Sequence, residues 1–511
     1  MRFEDEHLLA VAKPAGVNTH RADTHAQDGM VEWVQRQRPS ASLSVLHRLD
    51  KATSGLLLFG KTTVANRSLA AQLEGRTVTK RYELLVARDD SRAPAVHSRQ
   101  PIDGAEADTD LEREAVGAAR ERWSARPHTG RTHQVRVHAT AAGLPILGDS
   151  EHHGSPAARL FLHAASLRAD HPTDGALDLA VERPASFDQV LAGTDPTSPA
   201  LAAAVAHEAR ALLFDPAETD AYLWVDRHHD GFPGTRVERL GDVARVLRYD
   251  DAPIPAEWLD AWTATLPLRA VYEQAKPRGG GAGPAHIVTG RPCARFAVRE
   301  LGARYLVDLT ASATSSGLFL DQRETRRELL GMDLAGRTVL NTFAHTGSLS
   351  VAAALAGAQT LTLDLSKHYL DWAAENLRAN ELDPADHDSV YGDAMDWLER
   401  FAKKRRTFEV VLVDPPSSST ARKRGGRRWV VDRDLHALVE RAVRVTAAGG
   451  RLYVSTNLHR MTWPTFLDQL EAGIAAAGRT GSISTRTLPL DHRSGPGDPP
   501  YLKAAWVRLD R

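Results

Sequence analysis

The chain has 511 residues, of which 42% are hydrophobic and 25% charged, with a formal net charge of -1 at pH 7. At about 150 residues per domain, this length sets an expectation of roughly three domains, each able to bury a core. The charge balance excludes a global basic field, so any nucleic-acid site must be a local patch, and the single cysteine, Cys293, excludes an internal disulfide and a Cys-based zinc site.

A lone cysteine fits a reducing cytoplasm. The N-terminal Met1-Arg2-Phe3-Glu4-Asp5-Glu6 is acidic and lacks the apolar stretch of a signal peptide. No run of ~18 apolar residues offers a membrane span, so a cytoplasmic protein without a membrane partner is expected. The 22 histidines include His152-His153 and His228-His229. Neither pair has the i, i+4 spacing of helical zinc ligands, and no metal is expected.

Along the chain, residues 1–195 read as short strands punctuated by turns. Residues 7–12 are apolar and end at Lys13-Pro14-Ala15-Gly16, residues 54–60 form a second run, and a helix is expected near residues 63–73. Strands with scattered helices predict an α+β domain. Residues 192–199 are turn-rich, and the Ala-rich stretch 200–213 reads as a connecting helix, giving a linker at 196–213. A small α/β domain is expected over 214–325. Its Gly279-Gly280-Gly281-Ala282-Gly283 lacks a following helix start or Lys-Ser/Thr, so it reads as a loop tip rather than a phosphate cradle. Over 326–511, strands (338–343, 360–365, 408–413, 450–455) alternate with helices (348–356, and one capped by Ser366 with Tyr369, Trp372 and Ala373 on one face). This alternation predicts a doubly wound, Rossmann-like parallel sheet. The functional motifs fall in separate segments and are expected to form separate cores.

The run His47-Arg48-Leu49-Asp50-Lys51-Ala52-Thr53-Ser54-Gly55-Leu56 is followed in order by Lys80-Arg81-Tyr82, Thr129-Gly130-Arg131-Thr132-His133-Gln134-Val135-Arg136-Val137-His138, and Gly143-Leu144-Pro145-Ile146-Leu147-Gly148-Asp149. Alone, Asp50 would read as a turn carboxylate pairing with Arg48 or Lys51. The ordered set resembles RluA-type pseudouridine synthases over about residues 5–190. That resemblance implies conversion of uridine to pseudouridine without cofactor or metal, with Asp50 as the carboxylate acting on the sugar. It further implies Arg131 as the guanidinium that keeps Asp50 charged, Tyr82 as the ring against the target base, and Arg48 filling the stack the flipped base leaves. His133 and His138 read as packing or hydrogen-bonding residues. No RNA-binding S4 domain is expected ahead of His7, so substrate choice is expected to come from elsewhere.

In the C-terminal part, Leu340-Asn341-Thr342-Phe343-Ala344-His345-Thr346-Gly347 joins a strand end to a helix start, where backbone N–H groups can meet a carboxylate. Asp364, followed by Leu365, ends the next strand, the place of a ribose-binding acid in dinucleotide sites. Gly392-Asp393-Ala394 follows the third strand, suited to an adenine amine, and Asp414-Pro415-Pro416-Ser417 ends the fourth, facing the position of methyl transfer. Each acid alone reads as a solvated strand end. Together they resemble class I S-adenosylmethionine (SAM)-dependent methyltransferases, more closely the RlmI/RlmK type acting on large-subunit ribosomal RNA. The segments 219–234 and Ser316-Gly317-Leu318-Phe319-Leu320-Asp321-Gln322-Arg323 share in that resemblance. His345 stands where relatives often have Tyr, and no PUA domain is evident. The implied cofactor is SAM, held by Asn341, Phe343, Thr346, Gly347, Asp364, Leu365, Asp393, Ala394, Asp414 and Pro415.

The basic run Arg422-Lys423-Arg424-Gly425-Gly426-Arg427-Arg428-Trp429 lies beside Asp414 and is expected to contact RNA phosphates, with Trp429 available for stacking. Methylation at carbon 5 of a pyrimidine needs an adjacent thiolate, and Val454-Ser455-Thr456-Asn457 offers none. Asn457 resembles the Asn at the same strand end in RlmK-type enzymes. A bifunctional enzyme is expected, with guanine N7 the favoured methyl acceptor, an exocyclic guanine amine the second choice and a pyrimidine carbon the last. The rival readings are an RNA-binding or ribosome-assembly factor with dead sites, and a methyltransferase with a non-RNA acceptor.

Overall fold

The computed structural model describes residues 1–250, 252–276, 283–310, 315–417, 430–495 and 498–510. The two apolar runs near the N-terminus, Leu8–Lys13 and Ser54–Gly60, are buried at every position. They pair antiparallel inside a ten-stranded sheet. Their continuous apolar character follows from cover on both faces. Ser54–Gly60 pairs parallel with Leu162–Asp170, and beyond it lie Thr79–Ala87, Arg120–Pro127, Thr109–Val116 and Ala95–Ser98. The helix foreseen near 63–73 spans Thr63–Glu74, with Thr62 as its N-cap. A second short helix, Gln134–Ala141, starts directly after the left-handed His133 (φ 54°).

Residues 199–211 are helical, as the Ala-rich composition predicts, but they are more than a tether. Ala202, Ala203 and Ala206 pack on Trp224, Phe232 and Trp262, while Leu201 packs on Phe161 and Phe187. The middle sheet runs Ala221–Asp226, Thr235–Leu240, Val243–Arg248, Ala270–Ala275 and His286–Gly290, followed by the hairpin Arg295–Glu300/Ala303–Asp308. The glycine run at 279–282 lies outside the described residues.

The third sheet has seven strands in the order Asp388–Tyr391, Gln359–Asp364, Thr338–Thr342, Phe408–Val413, Thr446–Thr456, Lys503–Leu509 and Gly481–Arg486. The first five are parallel, and the last two pairings are antiparallel. Strand order reverses between Thr338–Thr342 and Phe408–Val413, which opens a crevice at their carboxyl ends. Among the described residues, no helix is long and apolar enough to cross a membrane.

The connection between the last two strands bridges the N-terminal and C-terminal parts, whose main hydrophobic clusters hold separate sets of residues. Leu490 inserts among Leu9, Val11, Trp33, Leu57 and Phe59 of the N-terminal sheet. Asp491 is wholly buried; its carboxylate accepts from Arg323 Nη1 at 2.6 Å and from the Leu223 amide at 2.9 Å. Arg210 donates to the Asp491 carbonyl, Lys51 Nζ to the Ser494 carbonyl at 2.6 Å, Gln27 to the carbonyls of Pro489 and His492, and Arg493 to the Ala15 carbonyl. A hydrophobic anchor plus backbone carbonyls that need donors makes this buried loop the meeting point of the three parts.

Arg323, Glu300 and Asp491 have fully buried side chains. Burial pushes the Asp491 carboxyl up, but the Arg323 charge, His492 and their hydrogen bonds outweigh it and hold the group far below the usual carboxylate range. This contribution is complete above the unfolded carboxyl value of ~3.9 and is lost as pH falls toward the native value. Removing Asp491 leaves two buried guanidiniums, Arg323 and Arg326, on the single carboxylate of Glu300, so Asp491→Ala is expected to cost about 3–5 kcal/mol. Urea unfolding followed by tryptophan fluorescence reads it; an unchanged midpoint would count against the loop as the common anchor.

Candidate active sites

The N-terminal part holds a cleft of about 690 Å³ whose lining includes Arg48, Asp50, Tyr82, Arg131, His133 and Arg136. The loop carrying Asp50 is held from behind. The buried Lys13 ammonium donates to the carbonyls of Pro14, Val17 and Lys51. The Thr19 hydroxyl bonds both backbone groups of Leu49. His47 accepts from the Leu58 amide at 3.1 Å, and burial, with Lys80 nearby, pushes its imidazole down to about 3. His47 is therefore a neutral strut, and Asp50 is the group of that motif presented to the cleft. Arg48 is exposed at the rim. Tyr82 lies on Thr79–Ala87, and burial together with the Asp50 charge pushes its hydroxyl up, so the phenol stays protonated.

The guanidinium nearest Asp50 is that of Arg136, not Arg131. Arg136 Nη1 lies 3.7 Å from Asp50 Oδ2, and the same guanidinium grips Asp149 through two bonds of 2.8 and 2.6 Å. Arg131 is exposed on the same cleft and donates to the Glu106 carbonyl at 2.9 Å. The reason is local. The Gln134 amide oxygen accepts from the Arg131 N–H and the Thr129 hydroxyl, pinning that turn to the rim. The helix beginning at Gln134 then turns Arg136 inward. Its flanks, Val135 and Val137, with the acid of Gly148-Asp149 further on, were the available sequence signal. His133 Nε2 stands 3.9 Å from Asp50 Oδ1. His138 is buried, bonded to Thr109 and the Gln100 carbonyl, in keeping with its reading as a packing residue.

The second site lies at the crevice of the seven-stranded sheet. Between Thr338–Thr342 and the helix Ser348–Leu355, Phe343 (φ 55°), His345 (φ 50°) and Gly347 (φ 73°) are all left-handed. A Cβ on Gly347 would meet Ala373 Cβ at 2.6 Å, so only glycine fits. The Asp364 carboxylate accepts from the His345 and Ser366 amides (2.8 and 2.9 Å), and burial raises its pKa. Leu365 beside it is 44% exposed. The Gly392 amide donates to the Asp364 carbonyl at 3.0 Å, which brings Asp393 alongside; Asp393 also caps the helix Ala394–Lys403, whose Ala394 is buried. Burial pushes the His345 imidazole down to about 4, so it is neutral between the rings of Phe319 and Tyr369.

Not every expected residue joins this cluster through its side chain. The Asn341 amide is engaged beneath the helix with Ser350 at 2.9 Å, and the Thr346 hydroxyl bonds the Gly317 carbonyl. Asp414, at the end of Phe408–Val413, has both oxygens occupied, by Ser455 Oγ at 2.6 Å and Gln322 Nε2 at 3.0 Å. Burial raises its pKa to about 6. Pro415 is buried next to it. Tyr453 donates to Gln322 Oε1 at 2.7 Å, fixing the amide that faces Asp414. Gln322 lies within the Ser316–Arg323 motif, yet no sequence spacing connects it to Asp414 or Tyr453. Ser417 Oγ donates to Asn457 Oδ1 at 3.0 Å, joining two strand ends. The expected RNA-contacting residues Arg422, Lys423, Arg424, Arg427, Arg428 and Trp429 lie outside the described residues.

Residues 7–141 match the RNA pseudouridylate synthase family, and residues 257–477 match the S-adenosylmethionine-dependent methyltransferase family. "Ribosomal RNA large subunit methyltransferase K/L" of Allochromatium vinosum is 38% identical over 211 residues, 41% of this chain and 27% of that protein. The chain thus spans only about a quarter of that relative's length. "Putative ribosomal RNA large subunit methyltransferase YwbD" of Bacillus subtilis is 30% identical over 317 residues, 59% of this chain and 78% of that protein. The solved structure "A putative sam-dependent methyltransferase from Streptococcus mutans" superposes with a TM-score of 0.54 at 25% identity, covering 68% of this chain and 88% of that one. A structure of a methyltransferase complexed with SAH aligns over the same shares, with a TM-score of 0.55 and 26% identity. The chain belongs to the S-adenosylmethionine-dependent methyltransferases, with a segment of the RNA pseudouridylate synthase family joined ahead of the methyltransferase part.

Proposed function

We propose that the chain is a bifunctional RNA-modifying enzyme, isomerising uridine to pseudouridine at Asp50 and methylating a guanine of large-subunit ribosomal RNA beside Asp414. The supporting observation is the pairing, in one chain, of an Asp50–Tyr82–Arg136 cleft with a strand-end set of Asp364, Asp393 and Asp414.

In the first site the N1–C1′ bond of uridine breaks, the base turns, a C5–C1′ bond forms, and the C5 proton is lost while N1 gains one. Asp50 engages the sugar-bearing intermediate as a carboxylate, and Arg136 orients it. Tyr82 lies against the base as a neutral phenol. Arg48, free at the rim, occupies the stack vacated by the flipped nucleotide. In the second site SAM supplies an electrophilic methyl group. The backbone of 343–347 takes its amino-acid end, Asp364 the ribose and Asp393 the adenine amine, with Phe343, Thr346, Gly347, Leu365, Ala394 and Pro415 shaping the pocket and Asn341 bracing it from beneath. Arg422, Lys423, Arg424, Arg427 and Arg428 supply phosphate contacts.

Guanine N7 is the preferred acceptor. The Asn457 amide oxygen is engaged by Ser417, and we assign its remaining N–H donors to guanine O6. The only thiol, Cys293, is bonded through its amide to the Tyr272 hydroxyl on the middle sheet, and burial raises its pKa, so a pyrimidine C5 adduct has no nucleophile here. A specific observation favours the second reading, an exocyclic amine: Asp414, near 6, could take the proton such an amine sheds.

Asp50→Asn is expected to abolish pseudouridine formation and leave SAM binding intact; normal turnover would sink the assignment. Arg136→Lys should lower kcat at least about tenfold more than Arg131→Lys, because a bidentate site does not tolerate lysine. Equal effects would return Arg131 to the role of partner.

Nucleoside mass spectrometry of methylated RNA should find 7-methylguanosine, unchanged in Cys293→Ala. Finding 5-methylcytidine would overturn the acceptor.

N7 needs no proton acceptor, so single-turnover methylation should be flat as pH crosses the Asp414 value of about 6. A rate that climbs with pH through that value, and loses the inflection in Asp414→Asn, would mean an exocyclic amine.

A further inference from the structure

At the edge of the Asp50 cleft, His133 Nδ1 lies 3.2 Å from His152 Nε2 and 3.5 Å from Glu151 Oε2. The three ligand atoms all lie within 4.8 Å of one another. Tetrahedral coordination at about 2.0–2.1 Å separates ligand atoms by roughly 3.3–3.4 Å, between the two observed spacings. Two imidazoles and one carboxylate are a ligand set that zinc accepts, with a fourth position left to solvent. We propose that His133, Glu151 and His152 bind a divalent cation of the zinc class, and that its occupancy suppresses the Asp50 cleft.

The ligands stand on a rigid base. Asp149 is buried and gripped by Arg136, and its Oδ1 also accepts from the amides of Glu151 (3.3 Å) and His152 (3.2 Å). The His152 carbonyl is tied to Thr140 Oγ1 at 3.0 Å. Arg136 Nη2 also reaches Glu151 at 3.2 Å, but its two bonds to Asp149 keep it paired when Glu151 turns to a metal. Two neutral imidazoles bind a metal at their facing nitrogens in the tautomers that carry the N–H on the far nitrogen of each ring. A metal on His133 Nδ1 leaves Nε2 as the protonated nitrogen, and that nitrogen is the one facing Asp50 Oδ1. Ligating histidines are commonly anchored to a carboxylate in this sense. Here the carboxylate is the reactive one, so the metal draws the Asp50 charge toward an imidazole N–H and away from the sugar.

His133 and His152 are 19 residues apart in sequence and Glu151 is adjacent to His152, which is why helical i, i+4 spacing does not reveal them. A second trio, His228, His229 and Asp498, provides a control; there Asp498 is already bonded to both Arg227 and His229.

The effect on the cleft rests on the pseudouridine reading; metal binding does not. Titrating Co²⁺ into the full chain should give a tetrahedral absorption band, and calorimetry with ZnCl₂ should give one site. His152→Ala and Glu151→Gln should each weaken affinity by about tenfold or more, with an unchanged thermal midpoint, while His228→Ala binds normally. Zinc should inhibit pseudouridine formation in the wild type, EDTA should reverse it, and His152→Ala should be active but insensitive. Absence of a stoichiometric site, or binding unaltered by His152→Ala and Glu151→Gln, overturns the metal site. Normal binding without inhibition overturns the coupling to Asp50. A chain that binds Co²⁺ but never forms pseudouridine would instead sink the proposed N-terminal activity, and with it that coupling.

Discussion

The buried ion pair between Arg323 and Asp491 is the constraint on which the rest of the molecule depends. Two full charges leave water here, and the geometry answers with a 2.6 Å bond, a second carboxylate on Glu300 and the Phe214 ring 4.7 Å from the guanidinium carbon. Such pairs cost desolvation and are retained where they fix one arrangement against others. The arrangement fixed is the position of residues 489–494. Arg323 follows Gln322, whose amide holds Asp414, and Ser494 accepts from Lys51, the neighbour of Asp50. One short loop thus contacts the immediate surroundings of both acids, though they follow strands of different sheets.

The acids sit in different surroundings. Asp50 is 30% exposed, with a guanidinium at 3.7 Å, and keeps access to solvent and to a large ligand. Asp414 is enclosed, held by two neutral donors, and pays for that enclosure with a raised pKa. His47 and His345, one beside each acid's motif, are both driven neutral by burial and serve as struts rather than charges.

Much of this was legible in the sequence because the relevant signals are local. Apolar runs bounded by turns marked the strands, and acids at strand ends marked Asp364, Asp393 and Asp414, since a doubly wound sheet gathers its ligand at carboxyl ends. Asp50 and Tyr82 came from ordered motifs. The choice of guanidinium did not, because it depends on where a helix begins: a left-handed His133 sends Arg131 to the rim and Arg136 inward. Gln322, Ser455 and Asp491 were invisible for a related reason, as their partners lie 92, 41 and 168 residues away. Separate motifs suggested separate cores; a single leucine, Leu490, joins them, and one apolar residue in a loop carries no periodicity to betray it.

The place of Leu490 in the chain sets the order of assembly on the ribosome. Synthesis runs from the N-terminus at about 5–20 residues per second, so Leu490 is made roughly 280 residues, on the order of tens of seconds, after Leu213, its neighbour in the same cluster. Over that interval the nascent N-terminal sheet has its strands but not the residue that closes the floor beneath Leu9, Trp33 and Phe59. The N-terminal sheet is therefore locked only once this loop has been made, and a message cut short before it yields a protein whose N-terminal floor stays open to water.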